Sequence, residues 1–139
     1  MVTVGASEAI DVALRALVSP GDEVLVPEPS YVSYSPSVIF ATGKPVGVVT
    51  TAETEFRLTP EAVEAAITPR TKLLILPYPN NPTGGIMEKA DLEKIAEAKE
   101  KHASLVVFPE LSLTGSSAGD LFRQRSLQEA VMRGLQAIQ

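Results

Sequence analysis

Short runs of apolar, β-branched residues alternate along the chain with longer segments whose apolar positions recur at helical spacing. That alternation predicts parallel strands joined by crossover helices. Five strands are expected, over residues 2–4, 23–27, 46–50, 72–76 and 105–108. After the first, Gly5 opens a turn and a helix in which Ala9, Val12, Ala13 and Ala16 share a face, closed by Pro20-Gly21. Residues 31–41 read as a second helix, which Gly43 and Pro45 end, and 51–57 as a polar connection. Thr59 is placed to cap a short helix with Pro60 at its first position and apolar residues on one side of 61–67, and Pro69 stops it. The run 72–76 is almost wholly apolar, as expected of a strand buried on both faces. A loop rich in proline and asparagine follows at 77–85, then an amphipathic helix at 88–101. A loop over 109–119 leads to a last helix at 120–138, with Leu121, Leu127, Val131, Leu135 and Ile138 turned inward. The expected fold is a three-layer α/β sandwich: a mostly parallel sheet of about five strands with helices on both faces.

With 139 residues, 45% of them hydrophobic, the chain suffices for one core, so residues 1–139 are read as a single domain. Both signs of charge are scattered along it, and a net charge of −5 without a basic cluster argues against a nucleic-acid surface. No cysteine is present, which excludes disulfides, thiolate metal sites and cysteine nucleophiles. No metal site is expected. The first ten residues lack the pattern of a secretory leader, and no apolar run approaches the ~20 residues of a membrane span. A cytoplasmic setting without membrane contact is expected.

Open α/β sheets place ligands at the carboxyl ends of their strands, which directs attention to three places. At Gly5-Ala6-Ser7, backbone amides and the Ser7 hydroxyl meet the positive end of a helix, a cradle for phosphate; Ser7 equally suits a plain N-cap. The loop Asn80-Asn81-Pro82-Thr83-Gly84-Gly85 presents side-chain amides from a turn, although a tight loop preceding a helix has the same composition. Tyr31 can lay its ring on a flat ligand or pack in a core.

In order, GASEA at 5–9, PGDEVLVPEPSYVSY at 20–34 and NPTG at 81–84 resemble the class I/II aminotransferases, pyridoxal-phosphate enzymes of the aspartate aminotransferase fold. The resemblance runs from about residue 2 to about residue 96. It implies that Ala6 and Ser7 bind the cofactor's phosphate, that Tyr31 stacks on its pyridine ring, and that Asn81 bonds its phenolic oxygen. It also implies a covalent lysine well beyond the NPTG loop and a carboxylate-binding arginine further on. This sequence has no lysine after Lys101.

From about residue 99 the pattern departs. ASLVVFPELSLTGSSAGDLFRQRSL, at 103–127, resembles the nitrilase superfamily, above all the glutaminase domain of glutamine-dependent NAD synthetases. That resemblance makes Glu110 the general base of a Glu-Lys-Cys triad, whose cysteine this chain lacks. Glu110 is then a vestigial candidate, or an acidic residue bonding nearby amides. It also falls close to where the aminotransferases keep a pyridine-pairing aspartate. The chain is therefore read as a chimera, 1–98 aminotransferase-like and 99–139 nitrilase-like, joined by design or by gene fusion. No complete catalytic site is expected, and pyridoxal phosphate is the one candidate cofactor. The rival reading is an aminotransferase fragment that binds this cofactor and is active only with a completing partner. Apolar faces that the family covers with further strands and an N-terminal arm favour self-association as a dimer.

Overall fold

A computed structural model describes residues 4–99 and 105–107. All of them fall in one compact unit, Met1–Pro109; the second unit, Glu110–Gln139, lies outside the described residues. The described elements run α1 (Gly5–Leu17), β1 (Glu23–Glu28), α2 (Tyr34–Phe40), β2 (Lys44–Val49), α3 (Pro60–Ala66), β3 (Thr71–Ile75), α4 (Lys89–Lys99) and β4 (Leu105–Val107). A single 3-10 turn, Ala52–Thr54, interrupts the connection before α3. The strands form one parallel sheet in the order β2-β1-β3-β4.

Two apolar clusters account for the layers. Along β1, Val24 and Val26 point to one face and Leu25 to the other; along β3, Leu73 and Ile75 oppose Leu74. This is the period-2 alternation of a strand, here apolar on both sides. Leu14 and Val18 at the end of α1, with Val38 and Ala41 at α2, cover the first face. Val63 of α3 and Ile95 of α4, with Leu58, cover the second. Helices on both faces of a parallel sheet are thus present, as the alternation of elements predicts.

Local chemistry sets the ends. Pro20 and Gly21 occupy the middle of a turn closed by Asp22 N donating to Ser19 O at 3.0 Å, with Gly21 at φ +95°. A positive φ after proline is what such a turn demands of its third residue. The Thr59 hydroxyl accepts from Ala62 N at 3.2 Å and Pro60 opens α3, as expected. A Cβ on Gly43 would stand 2.6 Å from Val18 Cγ1, so the chain leaving α2 passes too close to α1 for any side chain.

Three expectations are revised. The helix read over 31–41 begins only at Tyr34. Pro36 has no N–H to give to the carbonyl four residues back, so it fits the first turn of a helix but not its interior. Val4 caps α1 rather than ending a strand, and the rest of the strand read at 2–4 lies outside the described residues. Four strands are therefore described. The loop at 109–119, Glu110 and the helix at 120–138 likewise lie outside the described residues. Among the described residues, no helix is long and apolar enough to cross a membrane.

At the amino end of the sheet, Glu23 is 1% exposed and fully engaged. Thr68 Oγ1 donates to it at 2.6 Å, Arg70 Nη2 at 2.9 Å and Lys44 Nζ at 3.2 Å. The Thr68 hydroxyl foremost, then the Arg70 guanidinium, hold its carboxyl down to about 2 against the upward push of burial, with Lys44 adding to the effect. One carboxylate thereby ties the start of β1 to the start of β2 and to the turn before β3.

Candidate functional site

The strand order makes the opposite end of the sheet the place for chemistry. From β1 the chain crosses to β2 on one side, and β3 then lies on the other side of β1, the reversal of order beside which open α/β sheets place ligands. Pairing of β1 with β2 continues to Glu28↔Val49, whereas registered pairing with β3 ends at Leu25↔Leu74. Pro27, which cannot donate to a ladder, lies beyond that last pair. At its other end, α1 leads into β1, and Val18 sits against Gly43 just before β2, so α1 finishes at the amino end of the sheet.

Tyr31 and Asn81 follow β1 and β3, and so stand on loops that leave the same end of the sheet, whereas Ala6 and Ser7 stand in the first turn of α1. Ala6 and Ser7 are the second and third residues of α1, behind Gly5 at φ +77°. Ser7 is exposed and is not the cap: Val4 holds that position, and its amide donates to the Glu8 carboxylate. A serine one turn inside leaves its hydroxyl available beside the positive end of the helix. Tyr31 follows β1 at 40% exposure, its ring edge-on to Tyr34 with centroids 5.7 Å apart and planes at 76°. It is therefore not a core tyrosine; Tyr34, half-buried against the first cluster, is the packing partner. Burial raises the Tyr34 phenol above its ordinary range.

Asn81 is exposed at the head of the NPTG turn, and both Tyr78-Pro79 and Asn81-Pro82 are cis. Its neighbour Asn80 faces inward, 4% exposed. Asn80 N donates to Gly85 O at 2.9 Å and Gly84 N donates to Asn80 O at 2.8 Å, which closes the turn around residues 81–84. The Asn80 Nδ2 donates to Pro29 O at 2.9 Å and to Thr83 Oγ1 at 3.0 Å. Its Oδ1 is buried with no hydrogen-bond donor among the described residues. Behind this turn Tyr78, 6% exposed, donates its hydroxyl to Phe56 O at 2.9 Å. Burial pushes the Tyr78 phenol up to about 12 against the smaller pull of a Leu58 backbone hydrogen bond.

Neither loop carries a lysine. Lys44 pairs with Glu23 at the far end of the sheet, Lys72 is the second residue of β3, and Lys89 pairs with Glu93 along α4 at 3.5 Å. A cavity of about 550 Å³ has Glu28, Ser30, Tyr31, Ser35, Val49 and Thr50 among its walls, and so opens on the β2 side of Tyr31. A smaller one, about 310 Å³, lies between residues 55–57 and 83–86. Asn80 and Tyr78 are the residues that sequence reasoning passed over. The only signal for Asn80 was a second asparagine beside the one the motif singles out.

Comparison with known proteins bears on this arrangement. The sequence profile of the family described as aminotransferase class I and II matches residues 1–111, further along the chain than the resemblance read from motifs. The chain is 47% identical over 111 residues to "Putative aminotransferase YugH" of Bacillus subtilis, covering 80% of this chain and 29% of that protein. It is 44% identical over 111 residues to "Aromatic-amino-acid aminotransferase 2" of Thermococcus litoralis, covering 80% and 28% respectively. Among solved structures, aspartate aminotransferase from Thermus thermophilus superposes with a TM-score of 0.73 at 44% identity, over 76% of this chain and 28% of that one. An aromatic aminotransferase from Pyrococcus horikoshii superposes with a TM-score of 0.75 at 44% identity, over 78% and 29%. The chain thus spans less than a third of the length of these relatives.

Proposed function

The chain belongs to the class I and II aminotransferase family, and from that premise we propose that it holds pyridoxal phosphate non-covalently, as a catalytically incomplete part of an aminotransferase site. What supports the reading is that Tyr31 and Asn81 stand on the loops that follow the adjacent strands β1 and β3, with Ser7 exposed in the first turn of α1. The donor chemistry suits the group. The exposed hydroxyl of Ser7 and the amides of the first turn of α1 face where a phosphate dianion gains most from the helix dipole. Tyr31 offers a ring face and Asn81 an amide, both exposed. When bound, this cofactor supplies an electron sink for bonds at an amino acid's α-carbon. The chain's own part is to anchor phosphate at Ser7, seat the ring on Tyr31 and donate from Asn81 to an oxygen on it. Glu110 lies inside the residues that the family profile matches and outside the described ones.

The site loops carry no lysine, so these residues hold the cofactor without a covalent bond, and the lysine and carboxylate-binding arginine of transamination would come from outside residues 1–139. The test is titration with pyridoxal phosphate, followed by absorbance and fluorescence, with and without borohydride. Saturable binding without a trapped adduct, lost in Ser7→Ala and Tyr31→Ala, supports the reading. Failure to bind leaves a folded scaffold with silent motifs.

The motif FPELSLTG at 108–115 favours a second reading for the last part of the chain, a nitrilase-like segment recombined onto the aminotransferase part; the family match stops at 111. Lacking a thiolate, that segment releases no ammonia from glutamine, and an ammonia assay checks this. Exposed Val32, Ile39, Phe40 and Val49 support self-association, for which light scattering on the eluted chain is the measure.

A further inference from the structure

The sheet lets the loops after β1 and β3 part, yet one side chain spans them. Asn80 reaches from the turn that presents Asn81 to the carbonyl of Pro29, two residues before Tyr31. The same Nδ2 holds Thr83 Oγ1, and the Asn80 backbone closes the turn at both ends. The amide orientation follows from these partners. A carbonyl at Pro29 accepts only, so the nitrogen must face it, and Oδ1 is left buried with no donor among the described residues. The two bonds from Nδ2 therefore decide which way the amide faces and leave the bridge to Pro29 as its chief constraint.

We propose that Asn80 is a positioning residue, which fixes the spacing between the Tyr31 and Asn81 loops and thereby the seating of a flat, phosphorylated ring, without itself holding the phosphate. Its reach toward a ring rests on the reading that the chain binds pyridoxal phosphate; the loop coupling does not. Asn80→Asp is the discriminating change, because it keeps the shape and turns the donor to Pro29 O into a second acceptor. Asn80→Ala removes the bridge altogether, and Thr83→Val removes one partner while keeping the Pro29 bond.

The experiment uses the full chain, isotope-labelled, with two readouts. In the ligand-free protein, the amide signals of residues 30–34 are expected to shift in Asn80→Asp and Asn80→Ala and to stay in place in Thr83→Val. In titrations, both Asn80 variants are expected to weaken pyridoxal phosphate about tenfold, the loss of roughly one charge-free hydrogen bond's worth of alignment, while inorganic phosphate, followed at the Ser7 amide, stays within about twofold. A general loosening of the fold would weaken both probes alike and would refute the positioning role. So would unchanged signals at 30–34. Should Asn80→Ala fail to fold, the isosteric Asn80→Asp decides. If the wild-type chain binds no pyridoxal phosphate but the variants still shift residues 30–34, the coupling stands and the cofactor reading falls.

Discussion

Removing the Tyr78 hydroxyl tests how the segment behind the NPTG turn is held. Glu55 and Phe56 have φ of +53° and +57°, a left-handed pair of non-glycine residues. Each such residue costs roughly 1 kcal/mol or more, so contacts from outside must keep the pair in place. Phe56 N donates to Thr51 O at 2.8 Å within the segment, and the Tyr78 hydroxyl grips Phe56 O at 2.9 Å from β3's end. A Cβ on Gly85 would lie 3.2 Å from Glu55 O and 3.4 Å from Phe56 O, so the NPTG turn rests directly on this backbone. Tyr78→Phe keeps the ring in its apolar cluster and deletes only the donor. The expected loss is about 1–2 kcal/mol, one net hydrogen bond plus part of the penalty for a stranded carbonyl. In a unit of this size that lowers the thermal midpoint by about 4–8 °C. Circular dichroism with urea at pH 7 measures it, with an unchanged denaturant slope expected. The pH dependence supplies a second check. The folded-state phenol titrates near 12, above its ordinary 10, so its contribution is complete below pH 10 and is lost as pH rises toward 12. The wild type's advantage over Tyr78→Phe must therefore shrink across that window. A difference below about 0.3 kcal/mol at pH 7, or an advantage that grows with pH, would refute the reasoning.

Other perturbations separate the remaining parts. The Glu23 carboxyl is held near 2 in the folded chain against an ordinary 4.5, so its stabilising effect is complete above pH 4.5 and fades as pH falls toward 2. Glu23→Gln is expected to flatten the acid limb of a stability-against-pH curve. Thr59→Ala deletes the side-chain cap of α3 and is expected to cost about 1 kcal/mol in urea unfolding. Leu25→Ala hollows the second apolar cluster from a side chain with no exposure, with an expected loss of roughly 3 kcal/mol or more. Ser7→Ala, exposed and outside the core, is expected to abolish phosphate-dependent binding with its melting temperature unchanged.

What could be read from the sequence was what local rules determine. Apolar β3 and the Thr59-Pro60 start of α3 follow from period and cap chemistry, and both are found where expected. The start of α2 was missed because the helical period of residues 31–41 outweighed the one fact that decides it, the missing N–H of Pro36. Ser7 looked like a cap because small polar residues before a helix usually are; Glu8 supplies the carboxylate instead. The inward turn of Asn80 depends on Pro29, and the role of Tyr78 on Phe56, partners far away in sequence that no local pattern reveals.

These long-range bonds also separate what holds the sheet from what holds the proposed site. The Glu23 network acts at the amino end of the sheet, whereas Tyr31 and Asn81 stand on loops at its carboxyl end and Ser7 in the first turn of α1. Cores constrain volume and alternation; loops constrain which groups meet a ligand. Asn80 and Tyr78 belong to both sets, since each is buried and each holds a loop. Changes at Glu23 should therefore move stability alone and changes at Ser7 binding alone, while changes at Asn80 or Tyr78 move both. Plotting the shift in pyridoxal-phosphate affinity against the shift in melting temperature for these four positions would place them in two separate arms and a diagonal. If all four fell on one line, the division between scaffold and site would be false.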